Sequence, residues 1–304
     1  MSAAGELQTV DLAGPVHYVD YGGPDGAPTL VLVHGLGASL LSWRSLAERL
    51  VGTHRVLALD LVGFGHTEPL GRGVTVADNA NLLARFIRRV VGHPVGLVGN
   101  SMGGMISVLT AQAHPGLVDS VVLVDPALPG GLKRQGLRSI DPQLALFFAL
   151  YNTPLLGERF LRLRRRRLTP RRQVDLLLAS ICVDASRVES DLVNQLVAHA
   201  TARRAYAWSD QAFLGAERSI MRMLTTGRKR YLAALQQLSL PCLLVHGEQD
   251  RLVGVSAARA AAALNPLIEL VTLPDVGHAP QLEVPEELAT IILRWHAGVV
   301  QGAV

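Results

Sequence analysis

Ser101 lies in Gly99-Asn-Ser-Met-Gly103, with a glycine two residues away on either side. A serine at that spacing suits nucleophilic attack on an acyl group when it occupies a sharp strand-to-helix turn. The small flanking residues Gly99, Gly103 and Gly104 give such a turn room. A helix opening just after the serine brings unpaired N–H groups and partial positive charge to where negative charge develops. A free hydroxyl is a weak nucleophile near neutral pH, so a base is required. Among ten histidines, His278 in Asp275-Val-Gly-His-Ala-Pro280 is the candidate, because it follows an apolar run that reads as a strand. The base in turn needs a carboxylate to hold its tautomer and stabilise the imidazolium. Asp250, in His246-Gly-Glu-Gln-Asp250, is preferred and gives the chain order Ser, Asp, His. Asp125 and Glu248 stand as alternatives, and Asp275 is too close in sequence to His278. Two N–H donors are needed for the oxyanion. The expected pair is Met102, next to the nucleophile, and Leu36 in His34-Gly-Leu-Gly37.

These residues all follow short apolar runs. Residues 16–21, 29–33, 55–60, 95–99, 118–124, 242–246 and 268–273 read as strands. Residues 42–50, 76–91, 102–113, 255–264 and 285–297 carry helical spacing and alternate with the strands. That alternation predicts a mostly parallel sheet covered on both faces, whose C-terminal strand edge collects the chemistry. Between 127 and 235 the strand pattern vanishes and helical patterns replace it. The expected organisation is a core of 1–126 and 236–304 interrupted by an α-helical cap, 127–235.

The chain has 304 residues, 49% of them hydrophobic and 18% charged, enough to bury a large core and too apolar for wholesale disorder. Its net charge of +4 is local: Arg162–Arg172 holds seven arginines and no acid, and without them the remainder carries −3. A uniform nucleic-acid-binding surface is therefore not expected. The arginine run reads either as a solvated face or as a patch that contacts an anionic membrane. Cys182 and Cys242 form neither a disulfide framework nor a zinc pattern, and no metal or cofactor is expected. The first residues lack a basic stretch followed by an apolar one, and no 18 apolar residues run together. The expected setting is cytoplasmic, with the arginine run as a peripheral membrane contact.

His34-Gly-Leu-Gly37, Asp60-Leu-Val-Gly-Phe-Gly65, Gly99-Asn-Ser-Met-Gly-Gly104, Gly247-Glu-Gln-Asp250 and Gly277-His-Ala-Pro280 occur in that order. Together they resemble the α/β-hydrolase fold family with a helical cap, over nearly the whole chain. The resemblance implies a serine hydrolase, and Ser101 departs from the aspartate nucleophile of the family's epoxide hydrolases and haloalkane dehalogenases. Gly-Asn-Ser-Met-Gly-Gly is similar to carbon–carbon bond hydrolases of ring-fission products, but those carry a tryptophan after the histidine where this chain has Ala279-Pro280. That segment is more similar to carboxylesterases and monoacylglycerol-lipase-like enzymes, which implies a small ester substrate with an apolar acyl group. Acyl transfer, haloperoxidase-like activity and ligand binding without catalysis are further uses of such a scaffold. Leu144, Leu146, Phe147, Phe148, Leu150, Tyr151, Leu155 and Leu156 are dense enough to line an apolar slot in the cap.

Overall fold

The computed structural model describes residues 5–130, 150–153 and 155–302. Eight strands make one sheet: β1 (Leu7–Asp11), β2 (Pro15–Gly22), β3 (Thr29–Val33), β4 (Arg55–Leu59), β5 (Val95–Asn100), β6 (Val118–Val124), β7 (Cys242–Gly247) and β8 (Ile268–Leu273). Their order across the sheet is β1-β2-β4-β3-β5-β6-β7-β8. The pairs β1–β2 and β2–β4 are antiparallel, and every pairing from β4 through β8 is parallel. Parallel strands end at one edge, so the loops after β3, β5, β6, β7 and β8 emerge side by side.

Alternation of side chains along each strand divides the core in two. Val31, Val33, Leu57, Leu59 and Leu97 pack with α2 (Val76–Phe86) and α3 (Met102–Ala113) on one face. Leu30, Leu32, Val56, Ala58 and Val98 pack on the other face with α1 (Arg44–Leu50) and the last helix, Pro285–Gly302. The strands are buried on both sides, which is why they read as unbroken apolar runs. Thr75 begins α2 with a capping box, its hydroxyl accepting from Asp78 N–H while the Asp78 carboxylate accepts from Thr75 N–H. The helix expected over 76–91 is α-helical only to Phe86; Ile87–Val91 widens into a π turn that Gly92 closes in the left-handed region (φ 82°).

β1 gave no signal in the sequence because it is an edge strand with mostly exposed side chains, so it needs no apolar period. Between β6 and β7 the described residues form helices Leu156–Arg167, Pro170–Ile181, Ser190–Ala202, Ser209–Leu224 and Arg228–Gln236. Val174, Leu178, Cys182, Leu192 and Val193 make a small core of their own that also takes in Ala279 and Leu282, beside His278. Tyr231, Ala234 and Leu235 of the helix Arg228–Gln236 instead join the core under α3. No helix among the described residues is long and apolar enough to cross a membrane.

Phe86 is fully buried and meets the Tyr18 ring edge-on at 5.3 Å. Phe86→Ala is expected to lower unfolding free energy by about 3–5 kcal/mol in denaturant titration, with the slope unchanged.

Candidate active site

Ser101 joins β5 to α3 with φ 54° and ψ −116°, a conformation costly for a non-glycine residue. Surrounding contacts hold it there. Its N–H donates to the Val124 carbonyl (3.1 Å), and its own carbonyl accepts from Ala127 (3.0 Å) and Met105 (3.2 Å). The flanking glycines are needed for space: a Cβ on Gly103 would lie 2.0 Å from the Val33 carbonyl oxygen, and one on Gly99 2.5 Å from that of Gly103. Gly35 passes so close that its Cβ would be 3.2 Å from Ser101 Cβ, bringing the His34–Gly37 loop against the serine.

That loop is held by buried polar groups. His34 is fully buried, and its Nε2 accepts from Leu61 N–H (3.1 Å) while Nδ1 donates to the Gly35 carbonyl (2.8 Å). This arrangement needs the neutral ring, and burial pushes the His34 pKa down to about 4. Asp60 accepts from Leu40 N–H and His66 N–H, both at 2.8 Å, and so joins the loops after β3 and β4. Arg203 reaches down from the cap to the Gly37 carbonyl (3.1 Å), and the Phe213 ring lies against Gly37. Met102 directly follows Ser101 and Leu36 directly follows Gly35, and neither N–H has an acceptor among the described residues. Met102 opens α3, where N–H groups have no partner within the helix.

His278 and Asp250 meet directly, with Nδ1 of the ring donating to Asp250 Oδ2 at 2.7 Å. Both residues are buried. Asp250 Oδ1 accepts from Leu252 N–H (2.7 Å) and Val253 N–H (3.0 Å). Burial alone raises the Asp250 pKa, but attraction and hydrogen bonding to His278, together with His246 and the Val253 N–H, hold it below the usual carboxylate range. Asn100, preceding the serine, donates its side-chain amide to the carbonyls of His278 (3.1 Å) and Val124 (3.0 Å), linking the two loops.

Asp125 is not the partner of His278. Its Oδ1 accepts from Gly247 N–H (2.9 Å), behind Asp250. Burial and the neighbouring Asp250 charge push its pKa well above the usual carboxylate range, the opposite direction from Asp250. Glu248 faces outward and accepts from the Thr272 hydroxyl (2.9 Å). Asp125, His246 and Asp250 have donor atoms within 4.8 Å of one another. His246 Nε2 donates to the Val253 carbonyl (2.8 Å), Asp125 Oδ1 holds Gly247 N–H and Asp250 holds His278, while Asp125 Oδ2 and His246 Nδ1 have no hydrogen-bond partner among the described residues.

A further residue, Glu283, organises the histidine loop. It is fully buried and accepts from Gly277 N–H (3.0 Å) and from Val183 and Asp184 N–H (both 2.9 Å), while His278 N–H donates to the Ile181 carbonyl (2.6 Å). One carboxylate thus fixes the loop after β8 against the cap. Of the apolar cap residues, Tyr151 is fully buried and meets the Phe160 and Phe213 rings edge-on. Leu155 and Leu156 face outward instead of into a slot. Leu144, Leu146, Phe147 and Phe148 lie outside the described residues. Cys182 and Cys242 are both buried free thiols.

A sequence model of the alpha/beta hydrolase fold matches residues 28–285, and the chain belongs to that family. It is 28% identical over 300 residues to the dihydrolipoyllysine-residue acetyltransferase component of the acetoin cleaving system of Cupriavidus necator, covering 97% of this chain and 70% of that protein. Lipase 1 of Psychrobacter immobilis is 25% identical over 298 residues, covering 93% of this chain and 82% of the lipase. Among solved structures, a membrane phospholipase A described as a bacterial virulence factor is 27% identical, with a TM-score of 0.74, covering 98% of this chain and 87% of that one.

Two outcomes follow from the buried groups. His34 and His54 are each held by burial at about 4, so the unfolded chain takes up protons that the folded one refuses. The stability they contribute is complete above about pH 6.5 and is lost as pH falls toward 4, so the melting temperature should drop steadily across that window. Glu283→Ala leaves three backbone N–H groups unpaired and should cost roughly 3–5 kcal/mol in a denaturant titration.

Proposed function

We propose that the protein is a serine hydrolase of the carboxylesterase and lipase type, cleaving esters with an apolar acyl group through a covalent intermediate on Ser101. The observation that carries this reading is the 2.7 Å Asp250–His278 hydrogen bond at the sheet edge where Ser101 is held in a strained turn. With Nδ1 committed to Asp250, Nε2 is the ring nitrogen left to take the Ser101 proton. The serine oxygen then attacks the ester carbonyl, and the N–H groups of Leu36 and Met102 stabilise the oxyanion, each worth about 3 kcal/mol of barrier. His278 returns the proton to the leaving alcohol, activates water and releases the acid by the reverse sequence. Phe213, against Gly37, supplies apolar surface suited to the acyl group.

The lipase and phospholipase names among the similar proteins support ester chemistry. The acetyltransferase name favours a second use of the same intermediate, in which an alcohol or thiol accepts the acyl group in place of water. A panel of p-nitrophenyl esters from acetate to palmitate, with a monoacylglycerol and one ring-fission product, separates these readings when run with and without an added alcohol. Turnover of medium or long esters to free acid is expected. Preferential cleavage of the ring-fission product, or acyl product formed mainly on the alcohol, would overturn the esterase assignment. Ser101→Ala should lose about 10⁴-fold or more in kcat/KM, and Asp250→Asn about 10⁴-fold. Asp125→Asn, which replaces a carboxyl that makes no hydrogen bond to His278 by a neutral amide of the same shape, should stay within a few-fold of the unaltered protein. If Asp125→Asn is as damaging as Asp250→Asn, the division of roles between the two acids is wrong.

A further inference from the structure

Eight large hydrophobic side chains stand exposed among the described residues, and five of them (Leu155, Leu156, Leu163, Leu176 and Leu177) fall in the stretch that carries the arginine run. Single exposed leucines need no explanation, but five beside a block of unpaired positive charge do. On the helix Leu156–Arg167, a step of about 100° per residue aligns Leu156, Leu163 and Arg167 in one narrow stripe, with Arg159, Arg166 and Arg162 along its flank. Leu163 is 51% exposed and Leu156 45%. All four of these arginines are exposed, and none has an ion-pair partner among the described residues.

The other charges on this helix are used elsewhere. Arg165 pairs with Asp210 at 2.7 Å, Arg164 donates to the Tyr151 hydroxyl at 3.4 Å, and Glu158 pairs with Arg218 at 3.0 Å. No free acid on this helix therefore offsets the outward arginines. Arg172 and Leu176 extend the same combination onto the next helix, where Arg171 is held by Asp175. A row of leucines bordered by long cationic side chains is the arrangement of a helix lying in the plane of a bilayer: the leucines enter the acyl boundary and the guanidinium groups spread to the headgroups.

We propose that this outward face of the cap docks reversibly on a bilayer bearing anionic phospholipid. The charge complementarity selects anionic over zwitterionic lipid, and the leucines add an attachment that salt does not screen. Docking there brings the cap, which reaches the oxyanion loop through Arg203, to a surface that can supply apolar acyl groups. This placement stands independently of the chemistry assigned to Ser101.

Vesicle flotation of the full chain tests it, with phosphatidylcholine alone and phosphatidylcholine mixed with phosphatidylglycerol. Binding is expected to the mixed vesicles only and should weaken steeply with added salt. Arg162→Gln, Arg166→Gln and Arg167→Gln together should weaken it roughly 100-fold, about fivefold for each charge removed. Leu156→Gln with Leu163→Gln should weaken it while leaving the salt dependence unchanged. Leu163→Trp should shift its emission to the blue on mixed vesicles. Turnover of p-nitrophenyl acetate should be unaltered in all of them, because none touches Ser101, Asp250 or His278. Equal binding to both vesicle types, no binding, or no effect of either set of substitutions would overturn the proposal. Self-association that the leucine substitutions disperse, without vesicle binding, would overturn it too and assign the face to a second copy of the chain.

Discussion

Everything at the sheet edge depends on the backbone of Ser101 being kept at a positive φ. No local preference favours that conformation for serine, so the fold must impose it. It does so by driving the start of α3 against the end of β3, so closely that Gly103 has no room for a Cβ beside the Val33 carbonyl. The hydrogen bonds from Ser101 to Val124 and from Ala127 to Ser101 then fasten the turn to β6 and the loop beyond it. The strain is thus offset by parallel pairing and helix packing across three strands. This also explains why the turn, the His34–Gly37 loop and the His278 loop can be close together without being close in sequence.

Charge at the site is arranged by burial. Two carboxyls lie side by side under the histidine loop, and a dry interior does not support two like charges there. Asp250 keeps the charge because three donors converge on it: two backbone N–H groups and the His278 ring. Asp125 has one backbone donor, and burial beside Asp250 pushes its pKa up. The same logic appears at His34, whose two hydrogen bonds demand a neutral ring.

Much of this was legible in the residues. β3, β6, β8 and α3 lie where their apolar runs end, because strands buried on both faces leave a continuous apolar signal. The meeting of Asp250 with His278 follows from parallel strand ends. What escaped were contacts between distant segments: Glu283 on Val183, Asp60 on Leu40, Arg203 on Gly37 and Asn100 on the His278 carbonyl. Each is a single polar residue whose partner is a backbone group tens of residues or more away, and no periodicity marks it. β1 escaped because an exposed edge strand has no buried face, and Leu155 and Leu156 were misplaced because density of leucine does not reveal which way it faces.

The central claim is that the fold makes Ser101, and no other hydroxyl, a nucleophile. Treating the folded protein with a fluorophosphonate and mapping the modified peptide by mass spectrometry tests this directly. One phosphonyl group on Ser101 is predicted, with labelling abolished in urea-unfolded protein and slowed by several powers of ten in His278→Ala. Labelling at another serine, or none at Ser101 in folded protein, would contradict the account.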